Sequence, residues 1–254
     1  MLEVKNVGKR FGGLQAVDNV SFQVNPGELV AVFGPNGSGK TTLLNLLSGT
    51  LQPTAGDVLW QGASLVGRRA SDVAAAGVVK TFQNPQLFPE LTVQEHLRIA
   101  GHLGLKRLHG LGRWSVRGLL RAEGGLSEMV AECAERCHLS GALQQPARDL
   151  SYGQEKMLGV AMALVCEPRV LLLDEPASGL GKAEIENLTR LLDQLRADGL
   201  AICVIDHRIA FLSQVADKAI AMQYGRLIAH GRPQDVLQSP DVVRAYLGVS
   251  HAAA

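Results

Sequence analysis

The sequence predicts an α/β fold built on a mostly parallel sheet, with a small antiparallel sheet beside it and an inserted helical lobe. Three observations carry this expectation. Short, uniformly apolar runs at residues 30–33, 170–173 and 200–205 have the character of strands covered on both faces. A helix pattern separates the last two, in which Ile185, Leu188, Leu191, Leu192 and Leu195 share one face. From 101 to 145, by contrast, strand-like runs vanish.

The run at 30–33 leads directly into the first functional motif. Gly34, Pro35, Asn36, Gly37, Ser38, Gly39, Lys40 and Thr41 fit the pattern G-x-x-x-x-G-K-[ST], and Thr42 leads into an apolar, helix-compatible segment. A loop that wraps a phosphate must turn backbone N–H groups inward, and Gly34, Gly37 and Gly39 allow the dihedrals this needs. Lys40 brings a compact positive charge to β- and γ-phosphates, and Thr41 offers a hydroxyl to Mg²⁺. The helix behind points its positive end at the same anion. The segment is read as a phosphate-binding loop, and the core as that of a P-loop NTPase.

At 254 residues the chain suits one large α/β domain with an inserted lobe. Apolar residues at 46 % fill a core, while aromatics at 4 % and a net charge of +1 speak against a nucleic-acid surface. The longest nearly uncharged apolar stretch near the motifs, 157–166, is well short of the about 20 residues that cross a bilayer. Met1 does not open a charged-then-apolar signal segment. The expectation is a chain soluble by itself, whose membrane role runs through a partner. Four cysteines point to a reducing compartment. Cys133 and Cys137 lie one helical turn apart beside His138, but no second ligand pair stands at matching spacing, so two thiols on a helix is the better reading.

In chain order, residues 2–7 and 17–24 alternate apolar and polar around Lys9-Arg10-Phe11-Gly12-Gly13, the pattern of a small antiparallel sheet. Phe11 fits both an ordinary hairpin aromatic and a ring that stacks on a purine. Asn25-Pro26-Gly27-Glu28 turns the chain into the core. Residues 57–60 return to the antiparallel sheet, and 78–82 read as another strand, ending at Gln83. Thr92 and Glu95 have capping-box spacing before an apolar helix, and a further helix is expected over 127–137. Ser151 and Gln154 repeat the capping-box spacing; such a helix start can also hold an anion.

Residues 170–173 end in Asp174-Glu175, two carboxylates with a natural division of labour beside a phosphate loop. Asp174 can hold Mg²⁺ through water, and Glu175 can position or deprotonate an attacking water. Residues 200–205 end in Asp206-His207. Residues 218–223 and 227–229 form a hairpin around Tyr224-Gly225-Arg226, and 235–248 read as a helical tail.

These segments, in this order, resemble the nucleotide-binding subunit of an ATP-binding-cassette (ABC) transporter over nearly the whole chain. The resemblance implies that Phe11 stacks on adenine and that Gln83 links the metal site to the membrane partner. Leu150, Ser151, Tyr152, Gly153 and Gln154 match the signature L-S-G-G-Q, with Tyr152 as its third residue. Asp174 then corresponds to the magnesium aspartate, Glu175 to the catalytic glutamate and His207 to the switch histidine, with Lys40 serving both binding and catalysis. The metal would be held by Thr41, Gln83 and, through water, Asp174. Lys80-Thr81-Phe82-Gln83 running to Leu87-Phe88, the variant L-S-Y-G-Q and the ending at 240–248 bring the likeness nearest to the larger ATP-binding subunit of branched-chain amino acid importers and their urea and amide relatives.

The implied cofactors are ATP and Mg²⁺. Implied partners are a second cassette, two transmembrane permease subunits and, indirectly, a periplasmic or lipid-anchored binding protein, with no nucleic acid. The implied place is the cytoplasmic face of the inner membrane. Two cassettes would face head to tail, Ser151 and Gly153 of one closing ATP on the loop of the other. As one domain, the core would occupy about 1–87 and 160–235, the helical lobe 88–159 and the tail 236–254. The rival, a soluble cassette ATPase acting on nucleic acid or ribosomes, typically carries two cassettes, a coiled coil or a basic arm, none of which is visible. Two departures stand out: Gly181-Lys182 replaces the usual Asp or Asn followed by Pro, and Arg208 stands where Asp usually comes after the histidine. The first implies fewer contacts across the dimer.

Overall fold

The computed structural model describes residues 1–109 and 116–247. The chain opens with β1 (Leu2–Phe11) and β2 (Leu14–Val24), enters the core with β3 (Leu29–Phe33) and passes through the phosphate loop into α1 (Lys40–Leu47). It returns outward through β4 (Ala55–Trp60), β5 (Ala63–Ser64) and α2 (Ala70–Ala75), and then makes β6 (Val78–Lys80). The helices α3 (Val93–His109), α4 (Val116–Arg136) and α5 (Tyr152–Leu164) come next. The core resumes with β7 (Val170–Asp174), α6 (Lys182–Ala197), β8 (Ala201–Ile205), α7 (Ile209–Val215), β9 (Lys218–Gln223) and β10 (Arg226–Gly231). Two helices close the described chain, α8 (Pro233–Gln238) and α9 (Pro240–Leu247).

The strands form two sheets, ordered β2-β1-β4-β5 and β10-β9-β3-β8-β7-β6. The first is antiparallel throughout. In the second, β9, β3, β8, β7 and β6 run parallel, and β10 folds back against β9. Strand alternation divides the buried side chains between two cores. Leu29, Ala31, Phe33, Leu171, Leu173, Ile202 and Val204 face the core shared with α3, α4, α5 and α6. Val30, Val32, Val170, Leu172, Ala201, Cys203 and Ile205 face the other, shared with Leu43, Leu44, Leu46 and Leu47 of α1 and the inner face of the antiparallel sheet. Each large side chain among them, fully buried, contributes about 1.5–3 kcal/mol relative to exposure. The central strands are therefore apolar on both faces, as their sequences require.

Several strands run longer than expected, β1 and β2 among them, and three other boundaries depart further. The strand expected over 78–82 pairs only from Val78 to Lys80; it lies at the sheet edge with only β7 beside it, and Phe82 stands 64 % exposed. The helix expected over 127–137 begins at Val116, because a helix period runs through the mixed Gly, Arg and Leu stretch before it. The single expected tail is two helices, broken at Ser239, with Pro240 starting the second at a position where its missing N–H costs nothing. Residues 110–115 of the inserted segment and 248–254 of the tail, Gly248 included, lie outside the described residues.

Cys133, Cys137 and Cys203 are buried and Cys166 is partly so. Burial pushes the Cys166 thiol up to about 11 and Cys133 and Cys203 up to about 12, and raises Cys137 as well. Among the described residues, no group of three or more His, Cys, Asp or Glu side chains gathers as a metal-ligand set. Among the same residues, no helix is long and apolar enough to cross a membrane.

Candidate nucleotide site

The parallel sheet brings the candidate residues to one edge. Val32 of β3 and Asp174 of β7 both pair with Ile205 of β8, so the loop after β3, Glu175 after β7 and Asp206-His207 after β8 leave the sheet at one level. Ligands of open α/β sheets collect at this carboxyl end.

The loop itself is wedged by neighbouring backbone. A Cβ at Gly34 would lie 2.1 Å from the Met222 carbonyl oxygen of β9, and one at Gly39, where φ is +99°, would lie 2.3 Å from the Ala16 oxygen of β2. Only glycine permits both approaches. The Ser38 N–H donates to the Pro35 carbonyl at 3.2 Å, and the Gly225 N–H donates to the Ser38 carbonyl at 3.0 Å. Gly39 gives α1 a left-handed start with no side-chain cap, so its first-turn N–H groups remain for an anion. Lys40 Nζ folds back onto the Gly34 and Pro35 carbonyls at 2.9 Å each. Burial pulls this ammonium below the ordinary lysine value, against the opposing pull of Glu175 and then Asp174. Asn36, Gly37 and Thr41 form the exposed rim, with Thr42 half-buried behind them.

Asp174 closes β7 almost fully buried, and its Oδ2 lies 3.1 Å from Lys80 Nζ. Glu175 comes next, with φ +48°. A left-handed non-glycine residue of this kind costs about 1–3 kcal/mol, and such strain gathers at functional sites. Its N–H donates to the Ile205 carbonyl at 2.8 Å. Its Oε2 accepts from Gln83 Nε2 at 2.8 Å and lies 3.9 Å from His207 Nδ1. Gln83, Glu175 and His207 thus converge from three separate loops.

The signature segment faces elsewhere. Ser151 caps α5: its Oγ accepts from the Gln154 N–H at 3.2 Å, while Gln154 Oε1 accepts from the Ser151 N–H at 2.9 Å. The Tyr152 ring covers Gly179, where an added Cβ would lie 2.3 Å from Tyr152 Cε1. Glu184 fills the space over Gly153 and accepts from the Gly181 N–H at 2.7 Å. These contacts tie Leu150–Gln154 to the turn at 178–181 of the same chain rather than to its own phosphate loop. Phe11, 45 % exposed, ends β1 with Lys9 Nζ 5.2 Å from its ring centroid. It shares its hairpin with Ala16, the residue pressed against Gly39.

Four side chains to which the sequence patterns assigned no role complete the cluster. Lys80 grips Asp174. Lys156, buried on α5, donates to the Gln83 carbonyl and lies 3.5 Å from that of Glu175. Asp206, fully buried, accepts from the N–H groups of Ala177, His207 and Arg208 and so fixes the turn that carries the histidine. Glu184 links Gly153 to Gly181. A charge inside or beside an otherwise apolar run was the available signal for Lys80, Lys156 and Asp206.

A family model described as an ABC transporter matches residues 17–178, from β2 through the loop and the Ser151 helix start to the carboxylates. The chain belongs to the ABC transporter family. A second model, described as a branched-chain amino acid ATP-binding cassette transporter, matches residues 226–252 of the cassette. Over 249 residues, 98 % of each chain, the cassette is 36 % identical to the high-affinity branched-chain amino acid transport ATP-binding protein BraF of Pseudomonas aeruginosa. It is 37 % identical over 249 residues, again 98 % of each chain, to the corresponding protein LivG of Escherichia coli. The crystal structure of an ATP-binding cassette of an ABC transporter in its ADP conformation matches with a TM-score of 0.83 at 29 % identity, covering 98 % of both chains. The cassette is thus a transporter ATPase that binds nucleotide. For a metal, the hydroxyl of Thr41, the amide of Gln83 and the carboxylate of Asp174 are hard oxygen donors, a set that fits Mg²⁺.

Proposed function

We propose that this cassette binds Mg-ATP at the loop of residues 34–42 and hydrolyses it to energise a membrane importer of branched-chain amino acids, or of a related small polar solute such as urea or an amide. The observation that carries the reading is the Gln83–Glu175–His207 convergence beside the phosphate loop. Lys40 exchanges the loop's own carbonyls for phosphate oxygens, the uncapped first-turn N–H groups of α1 donate to the same phosphates, and Phe11 stacks on the adenine. Thr41, Gln83 and, through water, Asp174 would hold Mg²⁺, which would supply charge neutralisation for the phosphates. Glu175 orients a water and takes its proton as the water oxygen bonds to the γ-phosphorus and the bond to the bridging oxygen breaks. His207 and Lys40 stabilise the charge on the transferred group.

A second cassette contributes Ser151 and Gly153 of its signature, at a helix start turned away from its own phosphate loop. Phe82 and Phe88, 64 % and 62 % exposed on either side of the Gln83 loop, offer an apolar dock for two permease subunits at the cytoplasmic face of the inner membrane. Leu87, next to Phe88, is partly buried against the core. A binding protein would reach the cassette only through those permeases.

Glu175→Gln keeps the shape and removes the base. Hydrolysis should fall about 10²–10⁴-fold, while nucleotide stays bound and an ATP-dependent dimer accumulates, alone or with the companion cassette. Steady-state ATPase assays with light scattering test this. A variant that hydrolyses ATP at the native rate would overturn the assignment.

A further inference from the structure

Lys80 has no task in the hydrolysis, yet it occupies a central place. It pairs with Leu172 in the β6–β7 register, two residues before Asp174, and its side chain runs along β7 to the strand end. There Nζ lies 3.1 Å from Asp174 Oδ2 and donates to Asn45 Oδ1 at 2.6 Å. The side chains of Lys80 and Asp174 are only 9 % and 5 % exposed. Asn45 stands four residues after Thr41, on the same face of α1. The ammonium is therefore held between the strand that ends in Asp174 and the helix that begins beside Thr41.

Resting on the Mg-ATP reading, we propose that Lys80 is a built-in competitor for the Asp174 carboxylate, a positioning residue that sets how much Mg²⁺ the cassette needs before it holds nucleotide. Without metal, a carboxylate buried this deeply needs a cationic partner, and Lys80 supplies one. A divalent ion approaching through water meets that fixed positive charge at bonding distance from its own ligand. Repulsion between the two raises the Mg²⁺ concentration required. The Phe82 ring, its centroid 5.9 Å from Nζ, gives the ammonium a second neighbour on the exposed side when the carboxylate turns to the metal.

The test uses the full chain, a fluorescent non-hydrolysable ATP analogue and a MgCl₂ titration at constant ionic strength. In Lys80→Gln the Mg²⁺ midpoint for analogue binding should fall at least about tenfold, the scale of a unit charge acting on a divalent ion across several ångströms even at the dielectric of water. Lys80→Arg keeps the charge and should keep the midpoint. Lys5→Gln removes an exposed charge elsewhere and should leave it unmoved. Asn45→Asp gives Lys80 a second carboxylate, so it too should lower the midpoint; if Lys80→Gln fails to fold, this variant decides. A midpoint within twofold of native, or a higher one, overturns the proposal while the nucleotide reading stands. A native chain that binds no analogue at saturating Mg²⁺ overturns both.

Discussion

Two helices of this cassette begin where phosphate is expected, and they treat their first turn in opposite ways. α1 starts from Gly39 without a side-chain cap. α5 starts from Ser151, whose reciprocal cap with Gln154 engages the N–H groups of both residues and leaves those of Tyr152 and Gly153. An uncapped turn can receive several phosphate oxygens, whereas a capped one offers a narrow pair of donors. The charged side chains differ in the same way. Lys40 rests on carbonyls of its own loop, which phosphate can displace, while Lys156 and Glu184 near α5 serve protein partners. Under the proposed function, the first site would bind by itself and the second would act on a phosphate already held by another chain.

Three substitutions test this contrast. Lys40→Ala should have the largest effect, lowering Mg-ATP affinity about 100-fold through loss of a charge-assisted contact to phosphate, with the fold intact. Equilibrium binding of labelled ATP measures it, and unchanged affinity would remove the distinction between the two helix starts. Gly153→Ala should act on the partner rather than on this chain's own site. A Cβ there would lie 1.8 Å from Glu184 Oε1, so Glu184 must leave and its bond to Gly181 is lost. ATP-driven dimerisation in the Glu175→Gln background should weaken about tenfold by light scattering, about 1.4 kcal/mol, while ATP binding by the monomer stays within twofold. A parallel loss of monomer binding would show that the two starts are not independent. Ser151→Ala should have the smallest effect: losing a helix cap costs about 1 kcal/mol and should lower Tm by about 2–4 °C in a chain of this size. Calorimetry that finds no change would mean that Gln154 closes the turn alone.

The two ends of the site are unequally legible in sequence. The phosphate loop and the carboxylate strand stand out because glycine spacing and uniform apolar runs are local properties. The pair Gln83–Glu175 joins residues 92 apart, and the meeting of their side chains depends on the order β8-β7-β6, which periodicity does not encode. Lys80 ends a three-residue edge strand, and its partner is two registers along the neighbouring strand. Gly181 shows a local rule being met in a different way. The missing side chain implies lost contacts across a dimer, yet Gly181 has an ordinary φ of −75° and caps α6, with Glu184 receiving its N–H. The end of β6 escapes sequence for a related reason: Phe82 is as apolar as Val78 and Val79, but no second strand covers it.

The cysteines carry a practical consequence. The thiolate is the form that reacts, and a thiol titrating near 11 or 12 is deprotonated in on the order of one molecule in ten thousand or fewer at pH 7. The native sulfurs should therefore stay silent toward alkylating probes while the fold is intact. A cysteine introduced at an exposed position such as Phe82 or Tyr152 would then be the fastest-labelling thiol on the molecule. Spectroscopic reporters can be attached at the proposed permease dock or the signature turn without first stripping the natural cysteines from the core.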